Sequence, residues 1–288
     1  MIVFSFAPQI SAAQVTNSSS DTSSLHIVAP PGNPTLVSAL PLLANYLMRK
    51  VDGIKHVHPI VPRSYRYTGE KFESGQVNAF IGGSFLSYIL CARDLAVPIA
   101  RGESLDGTSS YHSVLLSRRN TPYNGVSSVK GKRITYVTEA SSGEFYARKL
   151  FGGKEPTTVD GTTYIPSKSH ELAIRFLRVG RADFAFVKNL VWEEIKEQYP
   201  ELHMVDQDDG ENPNNVFLVS KRVYNEYGDE LQKLVLDLHN DPDPMAQHLM
   251  KVLNLKRFVA TEYPQNFNHT AQLVEDAGID AQSYQFNK

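Results

Sequence analysis

The sequence has a single cysteine, Cys91. An internal disulfide is therefore excluded, and so is a zinc centre built on several thiolates. In the apolar run Leu86-Ser-Tyr-Ile-Leu-Cys-Ala the expected place of this thiol is a buried helix face. No stretch approaches the roughly 18 apolar residues that span a bilayer. No charge of one sign dominates either, the formal net charge being −2, so no nucleic-acid or anionic-membrane surface is expected and an anion site has to be local. The Gly-x-Ser-x-Gly elbow, the Walker loop and the His-Glu-x-x-His pattern are all missing, which removes the commonest enzyme readings. His56-x-His58 sets two imidazoles on one side of a strand with no third ligand nearby. Asp206-Gln-Asp208-Asp209-Gly210 has its glycine one place early for a calcium loop, lacks the closing Glu, and reads as a solvated loop. No catalytic residue, metal or cofactor is expected.

What is present is the material for a folded core: 288 residues, 41% hydrophobic and 10% aromatic, enough for two α/β lobes. Residues 1–24 stand apart. A short apolar piece ends in Ser11-Ala12-Ala13, a small-x-small cleavage pattern without the usual basic start, so a truncated or mis-assigned signal peptide is expected, followed by a Ser/Thr/Asn-rich tether. Beyond it the chain alternates strand and helix. Leu25–Ala29 reads as a strand, 36–51 as an apolar-periodic helix, His56–Val61 as a strand, then a helix up to Ser74-Gly75, and 77–82 as a buried strand.

An internal echo organises the rest. Phe72-Glu-Ser-Gly75-Gln-Val-Asn78-Ala-Phe is matched by Phe176-Leu-Arg-Val-Gly180-Arg-Ala-Asp183-Phe: a helix end, a glycine stop, and an apolar strand with Asn or Asp at its start. Two similar lobes are implied. Strands at 111–117 and 215–220 would connect them, making one discontinuous lobe of 25–112 with 218–288 and a second of 113–217, joined by two hinge crossings.

Candidate ligand residues follow from that arrangement. After the strand Ile134–Val137 come Ser141-Ser142-Gly143 and a helix; this is either a plain N-cap or an anion cradle of two hydroxyls beside unpaired backbone N–H groups. Open α/β sheets present ligands beyond the carboxyl ends of their strands, which is where this loop lies. Tyr65 stands ten positions before Gly75 and His170 ten before Gly180, so both begin equivalent helices and would face one cleft, each able to donate to an oxyanion.

These residues resemble the phosphonate/phosphite-type periplasmic solute-binding proteins of ABC transporters, which have the two-lobed α/β type II periplasmic-binding-protein fold. The resemblance runs from about Leu25 to about Val274 and is carried by Tyr111-His-Ser-Val, Val129-Lys-Gly-Lys-Arg, Ala140-Ser141-Ser142-Gly143 and Ser169-His170-Glu171 leading into Gly180-Arg-Ala-Asp183. It implies a ligand loop at Ala140, Ser141 and Ser142, with Ala140 in place of one usual hydroxyl. A cleft tyrosine falls at Tyr65 and a cleft histidine at His170. A second aromatic of the family falls near Ile81, which has no polar group, and Tyr88 is expected to compensate. Lys188 stands where aminophosphonate binders carry acidic groups, and a lysine there suits an anion without an amine; Tyr111 completes the expected ligand-binding set. The expected function is capture of a small oxyanion (phosphite, phosphate or a small phosphonate) by a periplasmic monomer for an ABC transporter permease. The alternative is an oxyanion sensor, for a phosphonate-like ligand or arsenite, that partners a membrane sensor kinase.

Overall fold

The computed structural model describes residues 22–30, 33–61, 64–137, 140–159 and 161–286. The expected leader and tether lie outside the described residues except for Thr22, Ser23 and Ser24. In chain order the first lobe contributes β1 (Ser24–Val28), α1 (Pro34–Lys50), β2 (His56–Ile60), α2 (Tyr65–Glu73), β3 (Ala79–Gly82), α3 (Ser84–Ala92) and β4 (Ala96–Ser104), ending at a short strand β5 (Ser110–Tyr111). The second lobe holds β6 (Ser113–Arg118), β7 (Arg133–Val137), α4 (Ser142–Leu150), β8 (Thr163–Ser167), α5 (His170–Arg178), β9 (Phe184–Lys188), α6 (Asn189–Ile195) and β10 (Leu202–Gln207). A short strand β11 (Asn212–Pro213) leads back to β12 (Val216–Ser220), α7 (Lys221–Asp237), α8 (Pro244–Leu253), β13 (Leu255–Val259) and α9 (Asn268–Asp276).

Helix α1 shows why these elements form. Asn33 caps it by accepting from the Leu36 N–H at 3.0 Å, Pro34 occupies the first turn where its missing N–H costs nothing, and Arg49 and Lys50 sit at the negative end of the dipole. Leu36, Ala39, Leu40, Leu43, Ala44 and Leu47 make one buried stripe at helical spacing. Each buried leucine is worth about 1.5–3 kcal/mol of transfer free energy. Pro41 interrupts the ladder on the exposed side of the helix.

The sequence echo becomes a repeated fold. The sheet orders are β13-β4-β12-β3-β1-β2 and β10-β6-β9-β7-β8. In each lobe two parallel pairings surround the first strand, and a strand arriving from the other lobe lies antiparallel beside the third. Helices α2 and α5 are capped alike, Ser64 accepting from Tyr67 N–H at 3.0 Å and Ser169 from Leu172 N–H at 3.2 Å. Both stop at a left-handed glycine, Gly75 and Gly180, each with φ +72°. The Asn/Asp position has a shared duty as well. Asn78 Oδ1 accepts from the His26 N–H at 2.7 Å, and Asp183 Oδ2 from the Arg133 N–H at 3.0 Å. Each side chain thus clips its own strand to the first strand of its lobe.

The two crossings run side by side, with β5 and β11 paired antiparallel at Asn212 and Tyr111. A third tie comes from the C-terminal end. Helix α9 packs on α3 of the first lobe and α4 of the second. Its Thr270 donates to Asn212 Oδ1 at 2.8 Å, and the ring of Phe85 in α3 stacks on Phe145 in α4 at 4.7 Å between centroids. Beyond α9, Arg93 holds the Ala281 carbonyl at 2.7 Å, and the Phe286 ring fills the space where a Cβ on Gly69 would come within 2.6 Å of it.

The segment expected to be a solvated loop at 206–210 is different in the structure. The Asp208 side chain is fully buried, 2.5 Å from His269 Nε2 and 3.1 Å from Lys149 Nζ, so it joins α9 to the second lobe. Burial by itself would raise its carboxyl, but His269 and Lys149 outweigh that and hold it below the ordinary carboxylate range. With a depressed folded-state pKa, its stabilisation is present above the unfolded value of about 3.9 and is lost as pH falls through the folded one. Asp208→Asn should therefore cost about 2 kcal/mol at neutral pH, read from the urea midpoint. The variant should also lose less stability than the parent on acidification below about pH 4.

Candidate functional site

Between the lobes lies a cleft of about 300 Å³. Its walls are built from the ends of strands and the beginnings of helices. Asn33 and Thr35 open α1, Tyr65 opens α2, Gly83 precedes α3, Ser141 and Ser142 open α4, and Ser169 and His170 open α5. Five helices of nine residues or more thus bring their positive ends to one cavity. That convergence follows from topology: each helix follows a strand whose carboxyl end reaches the cleft.

The two serines of the α4 loop do different things. Ser141 is committed to the fold, its Oγ accepting from the Glu144 N–H at 3.2 Å and donating to the Val137 carbonyl. It is the cap that one reading of the sequence had it to be. Ser142 follows at the first helical position, its carbonyl accepting from Ser113 Oγ at 3.1 Å and its hydroxyl beside Tyr111. The N–H groups of Ser142 and Gly143 have no partner among the described residues. Gly143 does not line the cavity surface. A Cβ there would lie 2.6 Å from the Phe186 carbonyl oxygen, so glycine is required for α4 to rest on β9. Ala140, just before the serines, takes φ +60°, and its N–H donates to Glu144 Oε2 and to Tyr284 Oη, each at 3.0 Å. The C-terminal segment thus buttresses the loop from behind.

His170 is half-buried, and its Nδ1 accepts the Lys188 backbone N–H at 3.3 Å, which leaves the ring proton on Nε2. Burial first, and the charge of Lys188 second, push the imidazole down to about 3, so it is a neutral donor at ordinary pH. Tyr65 turns its hydroxyl over Gly83, and burial raises its pKa. Tyr111 is buried, its hydroxyl 2.7 Å from Ser84 Oγ, and burial pushes it up to about 12. Lys188, the last residue of β9, donates through Nζ to Asn214 Oδ1 and stands 4.2 Å from the Tyr111 ring centroid.

The structure therefore brings Tyr65, Ser141, Ser142, His170, Lys188 and Tyr111 to one cavity. It does not bring Tyr88 there. Placed four residues into α3, that ring faces α9 and packs against Tyr263 at 6.0 Å in a separate groove, so it does not replace the missing aromatic. Ile81 is 1% exposed in the first lobe's core. Cys91 is buried, its thiol pushed up to about 12, which suits a packing role and not a ligand. Among the described residues no group of three His, Cys, Asp or Glu is placed to hold a metal ion, and no helix is long and apolar enough to cross a membrane. Sequence reading missed Asn33, Asn214 and Tyr284. Asn before Pro34 is a recognisable cap signal; the other two have no local signature.

The family model for the periplasmic substrate-binding protein of phosphonate ABC transporters matches residues 28–267. The chain belongs to this phosphonate-binding family. Its members are periplasmic transport receptors and not enzymes; they bind a small ligand and work with a permease. No curated protein sequence matches the chain. Solved structures agree on the type II periplasmic-binding fold. XAC2383 of Xanthomonas citri, solved with chloride, has TM-score 0.74 at 16% identity over 88% of this chain and 97% of that one. PhnD1 of Prochlorococcus marinus, solved with methylphosphonate, has TM-score 0.71 at 18% identity over 88% and 98%. A binding-protein component of a phosphonate transporter from Pseudomonas aeruginosa has TM-score 0.69 at 13% identity over 87% and 85%. The alternative of a sensor partnering a kinase finds no support among these relatives.

The division of labour in the α4 loop is open to test by melting curves. Ser141→Ala should cost about 1 kcal/mol through loss of the cap. Gly143→Ala should cost about 1–3 kcal/mol through overpacking against a backbone carbonyl that cannot rotate away.

Proposed function

We propose that this protein captures a small tetrahedral oxyanion (phosphite, phosphate or a small phosphonate) in the inter-lobe cleft and delivers it, as a periplasmic monomer, to an ABC transporter permease. The observation that carries this reading is the meeting of five helix beginnings in a cavity whose inner wall offers donors. Unpaired N–H groups at helix starts favour negative charge, and side-chain hydroxyls and a neutral imidazole add directed donors. In this reading the Ser142 hydroxyl and N–H hold one oxygen. His170 Nε2–H and the Tyr65 hydroxyl reach the others, with Tyr111 and Lys188 behind them and Ser141 fixing the loop. The cavity of about 300 Å³ equals about ten water volumes, room for an oxyanion head together with a small substituent or ordered water. Methylphosphonate bound to PhnD1 and chloride bound to XAC2383 are the kind of ligand this reading requires.

Calorimetric titration of ligand-free protein with methylphosphonate, phosphite, phosphate and sulfate tests the site. At least one of the phosphorus oxyanions should bind. Ser142→Ala and His170→Ala should each weaken that binding by about tenfold or more, the scale of one lost charge-assisted hydrogen bond. Because His170 is already neutral well above about 3, affinity should show no step near pH 6.5 from this imidazole. Full affinity retained in both variants would remove the ligand from this cleft.

A further inference from the structure

At the inner end of the cleft one charged group, Lys188, has no counter-charge among the described residues. Lys188 is half-buried at the carboxyl end of β9, where its ammonium touches the face of Tyr111 and donates to Asn214, a neutral amide from the second hinge crossing. An ammonium has three N–H donors. Asn214 takes one, the aromatic face accepts the charge only weakly, and the rest of the donor capacity remains. Around it stand Tyr65 from α2, Tyr111 from β5 and the neutral His170 from α5, none of which brings a negative charge at ordinary pH. Lys168, Glu171 and Glu194 also line the cleft, and among the described residues none of them forms an ion pair with another group there; the hydrogen-bond partner of Lys188 Nζ is Asn214. A cation held partly out of water with only neutral partners is costly, and a bound anion reduces that cost.

We propose that Lys188 sets the charge of the ligand: its unpaired ammonium matches the second negative charge of a doubly ionised phosphorus oxyanion and ranks that ligand above a singly charged sulfonate of the same shape. This rests on the oxyanion reading of the cleft. Tetrahedral heads with three oxygens make the same hydrogen bonds whether phosphorus or sulfur is at the centre, so Ser142, His170 and Tyr65 cannot separate them; a full charge can. The proton balance is part of the device. Burial holds Lys188 down to about 7, so in mildly alkaline solution the free protein carries mostly the neutral amine. An arriving dianion raises that pKa, and the amine takes one proton from solvent to become the ammonium that pairs with it. For a ligand that arrives as the dianion nothing else changes hands: one N–H bond forms, and water or buffer supplies the proton; a ligand that arrives as the monoanion gives up its own proton to the same balance.

Titration of ligand-free protein with methylphosphonate at about pH 9, above the ligand's second ionisation so that it enters as the dianion, in two buffers of different ionisation enthalpy, measures that proton directly. Uptake should approach one proton per ligand there and fall toward about pH 7, where the ammonium is already formed and the ligand itself carries a proton. Methanesulfonate should bind at least about tenfold more weakly at the same pH. Lys188→Met should abolish the uptake and bring the two ligands within about threefold of one another. Lys188→Arg, charged at every accessible pH, should keep the preference and lose the uptake. Proton uptake that persists in Lys188→Arg, or a tenfold preference that persists in folded Lys188→Met, overturns the role of Lys188 while leaving the oxyanion site standing. If the wild-type protein binds none of the phosphorus oxyanions, it is the site reading that fails.

Discussion

The structure depends on one property of the α-helix: its first N–H groups have no carbonyl of their own to bind. A doubly wound lobe lays down strand after strand with the carboxyl ends on one edge, and each following helix begins at that edge. In this chain α1, α2 and α3 start on one side of the cleft and α4 and α5 on the other. The N-caps Asn33, Ser64, Ser141 and Ser169 each take one N–H and leave the preceding ones turned toward the cavity. The local positive potential is therefore largely a product of backbone placement, to which Lys188 adds, in a chain of nearly balanced net charge.

Side chains then refine what the backbone supplies. The Lys188 backbone N–H fixes the tautomer of His170, and the imidazole, kept neutral by burial and by the lysine itself, becomes a donor whose state does not vary with physiological pH. The same lysine is held by Asn214, just beyond β11, so a residue of the second lobe's sheet touches the segment that crosses back to the first lobe. The candidate site and the crossing between the lobes meet at one side chain.

Much of this was legible in the sequence because the two lobes repeat a local design. Phe72 to Phe80 and Phe176 to Phe184 carry the same helix end, glycine and strand, and the structure gives the reason: Gly75 and Gly180 share φ +72° while Asn78 and Asp183 clip equivalent first strands. Helix starts at Tyr65 and His170 followed from counting back along that repeat. The position of Ser141 in a cap-like loop was readable too, but whether its hydroxyl faces ligand or backbone depends on Val137 and Glu144 in three dimensions. Tyr88 misled because a residue near a strand end in sequence can sit on the far face of the helix that follows. Asp208 misled because an acidic, glycine-containing run looks solvated until His269, sixty-one residues on, closes over it. Pairings at that separation leave no periodicity to read.

Tyr284 gives the C-terminal segment a mechanical meaning. The segment is gripped by the first lobe through Arg93 and Gly69, and its hydroxyl accepts from the backbone of Ala140 in the second. Two strands alone would let the lobes bend, twist and slide. With α9 and the tail spread across both, the lobes are also tied through packed helices and a backbone hydrogen bond, so separating them would break the α9 packing as well as the β5–β11 pairing. Because this tie ends on the loop that presents Ser142, the aim of the donor groups there is set by contacts from both lobes at once.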